Sequence, residues 1–380
     1  MNRHSIPLGK VFGIQIGLDY SWFVIFALLT WMLATSYYPD EFKHWSPFLY
    51  WFTGALTAIA LFLSVLLHEL GHSVVALRYA IPVRSITLFL FGGIAQIEAE
   101  PPSAAAEFFI AIAGPLVSLA LAILFYLAQS LVSGAEPLLG LVKYLAYINT
   151  ALVLFNLIPG YPLDGGRVLR AAVWAITGNM ARSTLIAAGI GRFFAFLLIF
   201  FGTWQMFSGN LGGGLWIALI GWFLDSAASV QIQQVALQGL LKGHRVSQAM
   251  SEHYAIVPET LTLQQLVDEH ILGSGQRSFL VNRGNRTIGL ITLHQIKDVP
   301  RRQWAAKTAA DVMLPFEQLK CLDPDTELWS ALKKMDRNGV NQMPVVRSDH
   351  VVGMLSREDA ITFLRTLQEL EVSSGTTAET

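Results

Sequence analysis

Leu56-Thr57-Ala58-Ile59-Ala60-Leu61-Phe62-Leu63-Ser64-Val65-Leu66-Leu67-His68-Glu69-Leu70-Gly71-His72 runs from a mostly apolar stretch straight into two histidines and a glutamate. The apolar part is oily enough to cross a membrane, and the histidines are spaced for a helix. Residues four apart lie on one helix face, so both imidazoles can reach a single zinc ion. Glu69, beside the first histidine, is then placed to take a proton from water activated at that metal. Ionisable side chains at bilayer depth are costly and mark functional sites by default. The competing reading is a helix whose histidines bond only to neighbouring carbonyls. That reading leaves each ionisable group in need of its own partner, whereas one zinc serves both histidines. These residues point to hydrolysis at a metal within the membrane.

Composition supports a membrane protein. Hydrophobic residues make up 53% of the chain and charged residues only 14%, too oily for a soluble domain of this length. The charges concentrate after about residue 242, which separates a membrane domain, 1–235, from a soluble C-terminal part. A net charge of -1 gives no basis for a nucleic-acid partner. The single cysteine, Cys321, excludes an intramolecular disulfide and fits a reducing compartment. The first apolar run, from about Tyr20, begins too late and continues too long for a cleaved secretory leader.

A membrane helix needs roughly 20 residues. Six spans are expected, at about 20–35, 50–78, 105–131, 139–157, 183–207 and 215–234. Alternating connections put Arg3, Lys10, Arg78, Arg84, Arg167, Arg170, Arg182, Lys242 and Arg245 on the side of the N-terminus, against Lys43 and Lys143 opposite. The positive-inside rule then predicts a multi-pass protein of the cell membrane with both termini and the C-terminal part in the cytoplasm.

Two histidines leave a catalytic zinc short of a third protein ligand. The candidate lies in Asn156-Leu157-Ile158-Pro159-Gly160-Tyr161-Pro162-Leu163-Asp164-Gly165-Gly166-Arg167. Pro159, Gly160 and Pro162 stop the fourth span, and irregular backbone at membrane depth survives only inside protein or a wet cavity. Asp164, expected just before a helix opened by Arg167-Val168-Leu169-Arg170, fits two readings equally: a metal ligand, or a capping aspartate in a cytoplasmic turn.

The motif helix followed by N-x-x-P-x-x-P-L-D-G-G resembles the site-2 protease family of intramembrane zinc metalloproteases, across most of residues 1–235. The resemblance implies that His68, His72 and Asp164 bind one zinc, that Glu69 is the catalytic base, and that Asn156 helps hold the substrate backbone. It also implies a substrate class, single-span membrane proteins cut within or near their transmembrane segment.

Arg84-Ser85-Ile86-Thr87-Leu88-Phe89-Leu90-Phe91-Gly92-Gly93-Ile94-Ala95-Gln96-Ile97-Glu98 reads as a hairpin turning at Gly92-Gly93. In the family a comparable hairpin dips into the membrane beside the zinc. An exposed strand edge there can pair with an unwound substrate, which makes Gly92 and Gly93 candidate substrate-binding positions. The plainer alternative is an interfacial hairpin that plugs the site. Val11–Gly17 alternates, and reads either as a further strand or as a lead-in to the first span. Gly114-Pro115 suggests close helix packing, and Arg192 with Asp225 an inward-facing pair.

After residue 244 one pattern recurs. Val246-Ser247-Gln248-Ala249-Met250 opens a unit closing at Gly289–Gln295, and Asp311-Val312-Met313 opens another closing at Gly353–Asp359. This is similar to a tandem pair of cystathionine-β-synthase (CBS) domains, at 244–300 and 307–368, which implies adenine nucleotide (ATP, ADP or AMP) in the cleft between repeats. Ser356 and Asp359 match the family's nucleotide-binding pattern. In the first repeat Thr292 is kept, but Gln295 stands where aspartate is expected. A homodimer through these domains is the further expectation, and residues 369–380 are expected to be a disordered tail.

The fold class is thus a polytopic α-helical membrane protein with about six spans and a membrane-associated β-hairpin, joined to a cytoplasmic α/β tandem CBS domain. The rival readings are a CBS-gated transporter or channel and an inactive relative acting as a chaperone. Two complete metal motifs and an intact Glu69 weigh against both.

Overall fold

Six helices in the computed structural model, which describes residues 5–97, 99–284, 286–348 and 350–376, are long and apolar enough to cross a membrane. They are α1 (Ser21–Glu41), α2 (Pro47–Arg78), α3 (Ala104–Leu131), α4 (Glu136–Asn156) and, after the shorter α5 (Asp164–Thr177), α6 (Met180–Phe207) and α7 (Leu211–Leu241). Their starts follow from capping chemistry. Ser46 Oγ accepts from Leu49 N–H ahead of Pro47, Ser103 Oγ from Ala106 N–H, and the Asn179 side chain from Arg182 N–H. α1 outruns the expected span because its end winds into a π-helical stretch, Leu33–Tyr37, and one further turn. Tyr38 secures that turn from a fully buried position, its hydroxyl 2.7 Å from Thr57 Oγ1 on α2.

The chain divides into two units, 1–235 and 236–380. In the first, a four-stranded sheet has the order β1 (Ser5–Val11), β2 (Ile14–Asp19), β3 (Val83–Phe89), β4 (Gly92–Ile97). β2 runs parallel to β3, and the outer pairs are antiparallel. The alternation around Val11–Gly17 therefore belongs to a hairpin rather than one strand. Its turn is Phe12-Gly13, both at positive φ. The β3–β4 turn also differs from expectation. Phe89 pairs with Gly92, so Leu90-Phe91 make the turn and Gly92-Gly93 open β4. Aromatic packing explains the shift: Phe91 stacks 4.4 Å from the Phe223 ring and lies 6.3 Å from Trp216. Ile14 and Ile86 of the sheet, Leu70 and Ala76 of α2 and Ile110 of α3 share one buried cluster, which fixes the sheet against the two helices.

In the second unit the repeat is visible strand by strand. β5 (Ile256–Pro258), β6 (Ser278–Arg283), β7 (Arg286–Thr292) and β8 (Leu314–Pro315) form one sheet, and β9 (Gln342–Arg347) with β10 (His350–Ser356) the other. Phe279-Leu280-Val281 and Met343-Pro344-Val345 are the matching buried triplets. The opening segment of each sequence repeat packs against the other repeat's sheet. Met250 Sδ would lie 2.7 Å from a Cβ at Gly353, and Met313 Sδ 2.5 Å from one at Gly289. Val246 and Ala249 accordingly share a core with Val345 and Leu355, and Ala309 shares one with Val281 and Ile291. Cys321 is half-buried there, and burial pushes its thiol up. A final helix, Arg357–Thr376, continues through the segment expected to be disordered as far as Thr376, since Leu367-Gln368-Glu369-Leu370 are all good helix formers. Residues 377–380 of that tail lie outside the described residues.

Candidate metal centre

α2 presents His68 and His72 on one face, as their spacing requires, and both are buried. Asp164 comes to them from the start of α5. It is the first helical residue rather than a residue preceding the helix, and Leu163 occupies the N-cap position. The capping reading of Asp164 therefore does not describe the structure. The chain can turn into α5 so sharply because Gly165 and Gly166 lie directly against the backbone of Leu157, Ile158 and Gly160-Tyr161, where any Cβ would collide. Tyr161 N–H donates to the Ala187 carbonyl of α6 at 3.0 Å, which anchors the broken stretch; its Tyr161-Pro162 peptide is cis.

His68 Nε2 lies 3.0 Å from Asp164 Oδ2, His72 Nε2 lies 3.2 Å from the same oxygen, and the two Nε2 atoms are 3.2 Å apart. The other face of each ring is committed to α3. His72 Nδ1 donates to the Ile110 carbonyl at 2.6 Å, and His68 Nδ1 lies 2.9 Å from the buried hydroxyl of Ser118. A carbonyl only accepts, so a neutral His72 carries its proton on Nδ1 and turns a lone pair toward Asp164. A lone pair and a carboxylate oxygen at this distance repel unless a cation joins them. The spacing fits zinc: bonds of about 2.0–2.1 Å in tetrahedral geometry put ligand atoms roughly 3.3 Å apart. Nitrogen and carboxylate donors suit the same ion.

Gly114 of α3 completes the floor, because a Cβ there would run into both imidazoles. The Gly114-Pro115 pair thus packs helices closely, as expected, and does so beneath the two rings. Pro115 lacks an N–H, which loosens the turn next to Ile110. Glu69 is half-buried and stays outside the His–His–Asp group. A Cβ at Gly93 of β4 would lie 2.5 Å from Glu69 Cγ, so the hairpin runs directly against this side chain. Gly92, at φ 132°, has open space around it. Asn156 ends α4, half-buried, at the head of the broken stretch. Arg192 and Asp225 do pair, Nε to Oδ1 at 2.8 Å, but at 42% and 24% exposure rather than inside the unit. Arg192 also lies 5.7 Å over the Phe196 ring, and this stacking keeps it at the surface of α6.

In the second unit, Ser356 and Asp359 cap the final helix. Asp359 accepts from the Ser356 hydroxyl at 2.6 Å and from its N–H at 2.9 Å. Thr292 and Gln295 form the equivalent cap in the first repeat. Sequence reasoning missed Ser118, Ile110 and Glu107. Only Glu107 had a signal, as a lone acid in an otherwise uncharged span.

The sequence profile of Peptidase family M50 matches residues 56–141 and 133–200, and that of the CBS domain matches 309–366. A protein of Mycobacterium tuberculosis (strain H37Rv), named as the zinc metalloprotease Rip3, is 36% identical over 94% of this chain and 92% of its own length. One from Synechocystis sp. PCC 6803, named as the zinc metalloprotease sll0528, is 35% identical over 96% of both chains. Among solved structures, a site-2 protease from Methanocaldococcus jannaschii is 31% identical, covering 60% of this chain and 95% of that one, with a TM-score of 0.45. The two relatives matched over nearly the whole chain set the transporter reading aside.

Proposed function

Because this chain belongs to peptidase family M50, the site-2 protease family of membrane-embedded zinc metalloproteases, we propose that His68, His72 and Asp164 hold one catalytic zinc and that Glu69 moves the protons of peptide hydrolysis. The observation that carries this reading is the triangle of two Nε2 atoms and Asp164 Oδ2. Zinc held there supplies Lewis acidity to water and to the scissile carbonyl. A Glu69 carboxylate oxygen takes a proton from the attacking water and delivers it to the leaving amine nitrogen as the C–N bond breaks. With Nδ1 of each ring occupied on α3, Nε2 of His68 and of His72 is the electron-pair donor.

The substrate class is single-span membrane proteins, cut within or near the transmembrane segment. A membrane helix satisfies its own backbone and so shields its peptide bonds. β4 is an edge strand in contact with Glu69, a place where a locally unwound segment can pair by its main chain. Gly92 and Gly93 add no side chain that would hold such a segment away, and Asn156 is assigned to the substrate backbone. Both termini and the CBS unit are proposed to be cytoplasmic, a reading the lysine and arginine bias supports. Adenine nucleotide at Ser356 and Asp359, with Thr292 the weaker counterpart, is the proposed regulator, and the CBS units are also the proposed surface for a homodimer.

The test is reconstitution in vesicles with single-span substrates, comparing wild type with Glu69→Gln. Cleavage by the wild type alone supports the proposal. Cleavage by Glu69→Gln at the wild-type rate removes Glu69 as the base.

A further inference from the structure

Glu107 of α3 is fully buried, three residues before Ile110, and belongs to no part of the His–His–Asp triangle. An uncompensated carboxylate there would be strongly unfavourable. Its compensation comes from one helix. Arg170 of α5 donates through Nε at 2.9 Å and also through Nη2, both to Glu107 Oε1, and Arg167 Nε lies 3.7 Å from that oxygen. Glu107 Oε2 has no hydrogen-bond partner among the described residues. The Arg170 guanidinium also lies 5.7 Å over the Tyr161 ring, in the stretch that leads into Asp164.

Arg167 falls three residues after Asp164, on its side of α5, and Arg170 a further three residues along the helix. A single acid on α3 is therefore tied to α5 beyond Asp164 and, through Arg170, to the chain before it. The same helix receives both histidine Nδ1 atoms, at Ile110 and Ser118. α3 is thus the common reference for all three candidate ligands, directly for the histidines and through the Glu107–Arg170 pair for the aspartate.

We propose that Glu107 is a positioning residue for the metal centre: its buried pair with Arg170 sets the rotation and height of α5, and so holds Asp164 at ligand distance from His68 and His72. This rests on the reading of those three residues as metal ligands. A brace that only holds helices together would lower stability and leave coordination unchanged. A brace that aims Asp164 changes the ligand field and the affinity of the metal.

The experiment measures zinc affinity by chelator competition, and the visible absorption of the cobalt-substituted full-length protein, for wild type, Glu107→Gln and the double variant Glu107→Leu/Arg170→Met. The double variant replaces the pair with apolar side chains of similar bulk, a change that buried ion pairs often tolerate in folding. Size-exclusion chromatography in detergent verifies that each is folded. Folded variants should bind zinc roughly 10–100-fold more weakly, the usual loss for an outer-shell partner, with an altered cobalt spectrum. Wild-type affinity and spectrum in either folded variant overturn the inference alone. A wild-type protein that binds no zinc overturns the ligand reading beneath it.

Discussion

The backbone of Gly93 abuts the side chain of Glu69: a Cβ at Gly93 would lie 2.5 Å from Glu69 Cγ and 3.2 Å from Oε1. The edge strand and the proposed base are therefore set by one contact. A segment paired with β4 would lie beside the proposed base.

Gly93→Ala should therefore displace Glu69 while sparing the His–His–Asp triangle. Misplacing a catalytic group by about 1 Å can cost on the order of 100-fold in rate. Turnover should fall by about that factor with zinc content unchanged. Gly93→Ala at full activity would show that the hairpin does not set the position of Glu69.

Ser118→Ala removes the hydroxyl facing His68 Nδ1 and is small enough to leave the helix intact. Zinc affinity, measured by chelator competition, should drop roughly 10–100-fold. An unchanged affinity would reduce Ser118 to a packing residue.

Much of this architecture was legible because long apolar runs are a strong signal, and four of the six helices begin and end within a few residues of the spans read from them, while α1 and α7 run further at their C-terminal ends. The H-E-x-x-H spacing likewise put His68 and His72 on one face without any structure. Asp164 was different. Its two readings turn on whether its side chain points back along the chain or across to α2, and a local sequence pattern carries no such distance. The β3–β4 turn was misread for a related reason. Gly92-Gly93 is a turn signal, but Phe91 packing on Phe223 and the space needed by Glu69 decide where the chain reverses. The CBS units show the same limit. The repeat was plain in sequence, whereas the crossing of Met250 to Gly353 and Met313 to Gly289 is a tertiary exchange that a linear pattern hides.

Orientation is tested by fusion reporters. One at Thr380 should be cytoplasmic, and one inserted near Asp40 should be external, as the lysine and arginine bias demands. External labelling of the C-terminal unit in intact cells would reverse the topology.

Nucleotide control is tested on the full-length protein. Adenine nucleotide should change the cleavage rate only to the extent that it binds two states of the protein unequally. Asp359→Ala should weaken that response without altering zinc content. Because Asp359 also caps a helix, the thermal stability of the variant must be measured beside its response. No binding of ATP, ADP or AMP at millimolar concentration would leave the CBS unit as a scaffold.

If His68, His72 and Asp164 hold one zinc and Glu69 is left free for proton transfer, metal binding and proton transfer are separable by substitution. The most direct measurement is zinc content of the purified protein by mass spectrometry, taken on wild type, Glu69→Gln and His72→Ala together. About one zinc per chain is expected in the wild type and in Glu69→Gln, as for a single three-ligand site, and almost none in His72→Ala. Stoichiometric zinc in His72→Ala, or its loss in Glu69→Gln, would contradict the assignment.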